Sequence, residues 1–418
     1  MQPLAVIQNA FRIEDLRRKI LITLALLAVY RVGSYIPVPG VDTAGLQALF
    51  GAGSLFGLLD LFSGGALTRF SIFALGVNPY ITASIILQML TVVIPKLEEM
   101  AKEGVEGRKK IQQYTRYGTV LLGVIQAYGT VLYARNYIAN YTFFTVLNMI
   151  VALTAGTMFL MWLGEKISEK GIGNGVSLII FASIVSRIPQ MGASLAAGVG
   201  QGGVSAFSIA AFLLLAVVII GGVVLMQEGQ RRIPVQYAKR MVGRRMYGGQ
   251  STHIPLRVNS AGVIPVIFAA SVLAFPTTLA MFAPSLTWLE HILDGRSFFY
   301  NLIYVLLVVF FTYFYTAITF NPQKVSDDMK KYGGFIPGIR PGRPTSEFLE
   351  KVLVRITLVG AIFLGIIAIL PALTTAVFRL PQIYFGGTSL LIMVGVALDT
   401  MKQVEAQLLM RNYEGFIK

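Results

Sequence analysis

A chain of 418 residues that is 55% apolar, with a mean hydropathy of +0.69 and a formal net charge of +15, is too apolar for a soluble fold. It contains no cysteine, so disulfides and thiol chemistry are excluded, and its two histidines, His253 and His291, lie too far apart in sequence to suggest a metal site. No G-x-x-x-x-G-K-[ST] phosphate loop occurs, and no cofactor is expected.

A hydrocarbon layer about 30 Å thick requires roughly 20 apolar residues per helix. Ten stretches meet or approach that length: 20–36, 70–94, 117–134, 144–163, 176–188, 207–226, 261–282, 298–320, 352–373 and 385–401. None shows the sustained alternation of barrel strands. The expected fold is therefore an all-α polytopic membrane protein with ten transmembrane helices. The first stretch has a basic flank and no small-residue cleavage site, so it is expected to be a span and not a cleaved signal. Residues 1–19 form an amphipathic segment before it. Spans 1–5 fill an N-terminal half, 20–194; a Gly- and Ala-rich link follows at 195–206; spans 6–10 fill a C-terminal half, 207–401; and 402–418 form a tail.

If alternate loops are assigned to one side, that side holds every Lys and Arg except Arg31, Arg69, Arg135, Arg187, Arg296 and Arg379. The positive-inside rule then places both termini in the cytoplasm; the chain is expected in the cell (inner) membrane.

Between the first two spans, Ser54 can cap a short helix and Gly64-Gly65 can end it, giving a rod about 15 Å long. Such a piece lies on the surface or folds back into a protein-lined cavity. Asp60 inside its apolar run favours the re-entrant alternative.

Two loops on the basic side, 227–258 and 321–351, are far longer than ordinary connections. The first carries Arg231, Arg232, Lys239, Arg240, Arg244 and Arg245; the second carries Lys330, Lys331, Arg340 and Arg343. Anionic lipid would account for the charge. The length of the loops, and the stiff turn Gly338–Pro344 projecting two arginines, favour docking of an acidic partner or of RNA phosphates.

Two phrases recur in order. Gly76-Val77-Asn78-Pro79 returns as Gly262-Val263-Ile264-Pro265, and Gly175–Ile180 returns as Gly387–Ile392. They fall on the second and fifth spans of each half, which are broken or short. Because five is odd, the halves are expected to be inverted about an axis in the membrane plane. Equal distances past the motifs pair Val77 with Val263, Ile81 with Ile267 and Ile180 with Ile392. Symmetry would bring Ile81, Ile180, Ile267 and Ile392 to one depth, where an aliphatic ring excludes water and ions by dewetting yet can part around something bulky. A secondary transporter shares inverted repeats, but no carboxylate falls in the middle of any span, as ion coupling usually demands.

The segments Arg31–Gly40, Phe62–Leu67, Asn78–Ile86, Gln112–Gly118, Gly171–Gly175, Gln250–Leu256, Gly338–Gly342 and Tyr384–Leu390, in this order, make the chain resemble the SecY family, the channel-forming subunits of the bacterial protein translocase, over essentially its whole length. The resemblance implies a pore ring of Val77 (often isoleucine in the family), Ile81, Ile180, Ile267 and Ile392. It makes the short helix a plug carrying Leu55, Phe56, Leu58, Leu59, Asp60, Leu61, Phe62, Ser63, Gly64 and Gly65. It implies a lateral gate between spans 2–3 and 7–8, lined by Thr82, Ile85, Gln88, Asn259, Ser271 and Phe275. It implies that the basic loops bind the ribosome and the motor ATPase SecA, with Arg340 a principal contact, that SecE clamps the halves, and that SecG or an equivalent attaches. Preproteins and signal sequences would be the cargo, and no enzymatic activity is expected of this subunit.

Overall fold

The computed structural model describes residues 11–43, 45–46, 60, 63–190, 192–193, 206–237, 240–242, 245–247, 251–280, 297–378 and 387–414. Its helices are α1 (Glu14–Gly33), α2 (Asn78–Val93), α3 (Pro95–Lys102), α4 (Val105–Tyr133), α5 (Phe143–Lys170), α6 (Gly175–Val185), α7 (Ala206–Glu228), α8 (Ile264–Ala280), α9 (Phe298–Thr319), α10 (Pro322–Lys331), α11 (Arg343–Phe378) and α12 (Gly387–Glu414). Each of the ten expected spans overlaps one of these helices; α3 and α10 are additional and polar.

Phe143–Lys170, Phe207–Glu228, Phe298–Lys331 and Arg343–Leu370 are each long and apolar enough to cross a membrane. A further span arises if α2 and α3, bent by 101°, count as one broken element. Pro95, at the start of α3, lacks the N–H that would continue α2 and so accounts for the break. The segments Gly175–Gln190 and Ile264–Leu273 are apolar but short, as expected for the fifth and seventh spans. On α7, Leu213, Leu214, Val217 and Val218 face outward, an arrangement that suits lipid and not water.

Several helices differ in extent from the apolar stretches that announced them. Span 2 was expected from residue 70, but 70–77 form turns and the helix starts at Asn78. Conversely α4, α11 and α12 run past their apolar stretches into charged sequence. Side-chain caps mark several starts: Thr142 accepts from the Thr145 N–H, Asn174 from Ser177 and Asn321 from Lys324.

The two halves share one packing plan. In the first, α4 packs on α2 and α5, α5 on α6, and α1 on both α5 and α6. In the second, α9 packs on α8 and α11, α11 on α12, and α7 on both α11 and α12. Replacing α1, α2, α4, α5 and α6 by α7, α8, α9, α11 and α12 converts one set into the other. The halves meet through α6 against α12 and through α8 against α2 and α4.

The long basic loops are not simple loops. β1 (Gln230–Tyr237) pairs antiparallel with β4 (Ser251–Arg257), from Gln230 opposite Arg257 to Gln236 opposite Ser251. β1 also pairs with β5 (Gly334–Phe335), placing Gln236 opposite Phe335. A hairpin of β2 (Arg240–Val242) and β3 (Arg245–Tyr247) lies between β1 and β4 in sequence. Ile233, Val235 and Leu256 of the sheet pack with Met329 of α10, Ile336, and Leu349 and Val352 of α11. The two basic loops therefore form one body with its own apolar core. The all-α expectation holds for the spans and gives way to a small sheet in this extramembrane part.

Candidate functional site

The two broken helices begin alike. Gly76 and Gly262 occupy the left-handed region at φ 59° and 64°, a conformation that costs glycine nothing. Each is followed by a valine and then by a helix with proline in its first turn, where a missing N–H is harmless. The turn aims Val77 and Val263, and one helical turn later Ile81 and Ile267, towards the junction between the halves. Ile180 on α6 and Ile392 on α12 complete the set. All six are at most 8% exposed and belong to one contiguous apolar cluster built from both halves.

Beside this cluster lies a cavity of about 1020 Å³, at the end of the bundle where α4 begins and α5 ends. Ile81, Ile180, Ile264 and Ile267 supply its aliphatic part. Tyr80, Ser84, Gln88, Gln112, Gln113 and Asn174 supply polar walls, with Lys109, Arg116, Glu165, Lys166 and Glu169 as charges. Ile392 shares the apolar cluster but not the cavity lining. Glu165 ties the wall together: it accepts from Arg116 at 2.7 Å and 3.1 Å and from Gln112 at 3.0 Å, joining α4 to α5. At the rim, Lys166 donates to Glu169 at 2.7 Å. The result is a cavity with charged and polar walls on one part and aliphatic side chains on another.

The expected gate residues fall on the helices where the halves touch. On α2, Thr82 is buried and donates to the Asn78 carbonyl, Ile85 is buried in the shared cluster, and Gln88 donates to Ser84 while lining the cavity. Asn259 precedes α8, is buried and donates to the Gly262 carbonyl at 3.0 Å, securing the left-handed turn. Ser271 bonds back to the Ile267 carbonyl. Phe275 lies in α8, with its side chain outside the described residues.

Of the expected plug residues, Leu55, Phe56, Leu58, Leu59, Leu61 and Phe62 lie outside the described residues. Asp60, Ser63, Gly64 and Gly65 are all buried. Asp60 makes an ion pair with Arg187, just beyond α6. The sequence marks Arg187 only as one of the few arginines on the sparsely charged side. The usable signal was the lone carboxylate in an apolar run, because a buried charge demands a partner.

The expected docking residues Arg231 and Arg232 of β1, Lys330 and Lys331 of α10, and Arg340 and Arg343 are exposed. Arg343 is engaged with Glu347 at 3.0 Å. The turn bearing Arg340 is rigid: Gly338 and Gly342 are left-handed, Thr345 donates to the Arg340 carbonyl, and Ser326 of α10 donates to the Gly342 carbonyl. Arg240 and Arg245 lie on the β2–β3 hairpin, with side chains outside the described residues, as Lys239 and Arg244 are altogether.

Residues 71–401 match the SecY family model. The Streptomyces galbus protein named protein translocase subunit SecY is 50% identical over 438 residues, covering 99% of this chain and 100% of that protein. A solved protein conducting channel superposes with a TM-score of 0.67 at 19% identity, covering 93% of this chain and 92% of the other. Sec61 in the canine ribosome-channel complex superposes at 0.62 with 18% identity, covering 93% and 92%. Together with the paired broken helices and the shared packing plan, these matches establish that the chain is a membrane protein belonging to the SecY family.

Proposed function

We propose that this chain is the central subunit of a protein-conducting channel that passes unfolded polypeptides across the cell membrane and releases apolar segments sideways into lipid. One observation carries the reading: Val77, Ile81, Ile180, Ile267 and Ile392, drawn from both halves, are buried in a single apolar cluster, and Ile81, Ile180 and Ile267 also line the charge-walled cavity beside it. An aliphatic constriction sheds water and ions, and offers a passing chain no hydrogen bonds to hold it. Residues 54–65 act as the plug on the far side. The contact of α8 with α2 and α4 is the seam that opens towards lipid.

The subunit itself performs no chemistry; the driving force comes from outside. The platform of β1, β4, β5 and α10, with Arg231, Arg232, Lys330, Lys331 and Arg340 exposed, suits an acidic protein surface or ribosomal RNA phosphates. The structural likeness to a channel in a ribosome complex favours the ribosome as one partner. SecA as motor, SecE as clamp and SecG as peripheral subunit are the further partners in this reading, with anionic lipid beneath the basic face. Both termini lie on that face, in the cytoplasm.

The test is reconstitution of the chain with its small partner in vesicles, with motor and ATP added. Preprotein should become protected from external protease only when motor, ATP and a signal sequence are all present. Saturable uptake of a small solute by the chain alone would refute the channel reading.

A further inference from the structure

The segment that ends at Gly65 is held by more polar bonds than a freely movable element requires, and they converge on one carboxylate. Asp60 is 3% exposed and accepts from the Thr68 N–H at 2.9 Å, the Thr68 hydroxyl, the Ser63 hydroxyl at 3.3 Å and the guanidinium of Arg187. The neighbouring backbone is tied to both α1 and α6. Tyr30 donates to the Ser63 carbonyl at 3.0 Å and shares a 2.5 Å hydrogen bond with Ser183, while Arg31 donates to the Gly64 carbonyl. Gly64 is left-handed, and a Cβ there would lie 3.1 Å from the Ser183 Cα, so the segment sits directly on α6.

The same segment lies beside the turn that precedes Val77. A Cβ placed on Gly76, the residue before Val77, would meet Ser63 at 3.7 Å. Holding Asp60 therefore holds Ser63 against the turn that sets the first constriction residue. The electrostatics is one-sided. Arg31 and Arg69 stack on the Tyr35 ring at 4.7 Å and 4.2 Å, and the position of a Gly65 Cβ lies 3.3 Å from both the Arg69 and the Arg187 guanidinium groups. The Arg187 Nε and Arg69 Nη1 atoms are buried without a hydrogen-bond partner among the described residues. Asp60 pairs with one of these arginines, Arg187. Withdrawing it costs desolvated charge on both sides, which is the property of a catch that releases all at once.

We propose that Asp60 and Arg187 form a latch that keeps Asp60 and Ser63–Gly65 against the turn before Val77, and that Arg187 is thereby a positioning residue setting how strong a signal sequence must be to open the channel. This rests on the channel reading above. Arg187 acts through Asp60 and touches no cargo. A charge just beyond the end of α6 is a suitable anchor, because α6 bears Ile180 and packs on α12, so the latch ties Asp60 to the junction of the halves.

The experiment compares Asp60→Asn, Arg187→Gln and the exchange Asp60→Arg with Arg187→Asp in the complete translocase. The readouts are resting ion conductance of reconstituted vesicles and export of a preprotein with a weakened signal. Each single variant should raise both several-fold, and the exchange should return both towards wild type. Thr68→Val, which removes one donor and leaves the pair, should fall between. Single variants as tight as wild type, or an exchange no tighter than the singles, would overturn the latch. Ile267→Asn, measured alongside, separates the two claims. If it leaks while Asp60→Asn does not, the latch alone fails; if neither changes conductance or stringency, the channel reading fails with it.

Discussion

Gly76 and Gly262 adopt the same left-handed backbone, φ 59° and 64°, one residue before the two valines that open the apolar cluster. At Gly262 a Cβ would meet nothing within 4 Å, so any penalty for a side chain is purely that of the backbone. Gly262→Ala should therefore cost about 1–2 kcal/mol. Gly76→Ala should cost a similar amount, since its Cβ would make only ordinary contact with Ser63. Lowered and matching thermal midpoints of the purified complexes are the expected result. A midpoint unchanged in either variant contradicts the role given to the turns.

Those turns were legible because a repeated phrase needs no long-range knowledge: glycine followed three residues later by proline states where a helix must begin. The pairing of Ile81 with Ile267 and of Ile180 with Ile392 followed from the same counting. Other features were not legible for physical reasons. Residues 70–77 are as apolar as a helix, and hydropathy does not distinguish helix from the turns that include the Pro37–Ser71 bridge. The 36 residues of α11 begin in charged sequence, where an apolar window is blind. The pairing of Gln236 with Phe335 joins segments nearly a hundred residues apart, and β5 has only two residues, too few for any pattern. The partner of Asp60 was unreadable because neither Asp60 nor Arg187 sits in a motif that names the other.

The proposed constriction should respond to polarity more than to size. Ile267→Asn or Ile392→Asn places an amide among aliphatic side chains and invites water into the narrow part. The expected outcome is raised ion leakage and easier export of proteins with defective signals, whereas Ile267→Leu should leave both near wild type. Single-channel recordings and an export assay read the difference. Equal behaviour of the asparagine and leucine variants would count against a dewetted seal.

The junction of α5 and α6 is limited by backbone contact. A Cβ on Gly175 would lie 1.9 Å from the Gly164 carbonyl oxygen, with no flexible side chain able to yield. Gly175→Ala must push α6, and Ile180 with it, away from α5. Overpacking of this kind costs about 1–3 kcal/mol. The variant complex should melt at lower temperature and leak ions at rest. A variant with both properties unchanged would show that α6 is not held by this contact.

The extramembrane platform permits a paired prediction that separates docking from folding. Arg340 is exposed on a turn whose backbone is fixed from within, by Thr345 on its carbonyl and Ser326 on that of Gly342, so its side chain contributes charge and little to the fold. Val235 is 1% exposed in the core beneath the sheet. Arg340→Glu should impair motor-driven export while leaving the platform as resistant to limited proteolysis as the wild type. Val235→Asp buries a charge with no partner and should cost about 3–5 kcal/mol, enough to open the platform to protease. Both variants should still insert into the membrane, because the spans bury their own apolar faces independently of the sheet. Normal motor-driven export by Arg340→Glu would remove Arg340 from the docking surface. Normal export by Val235→Asp, with the platform cleaved, would remove the platform itself.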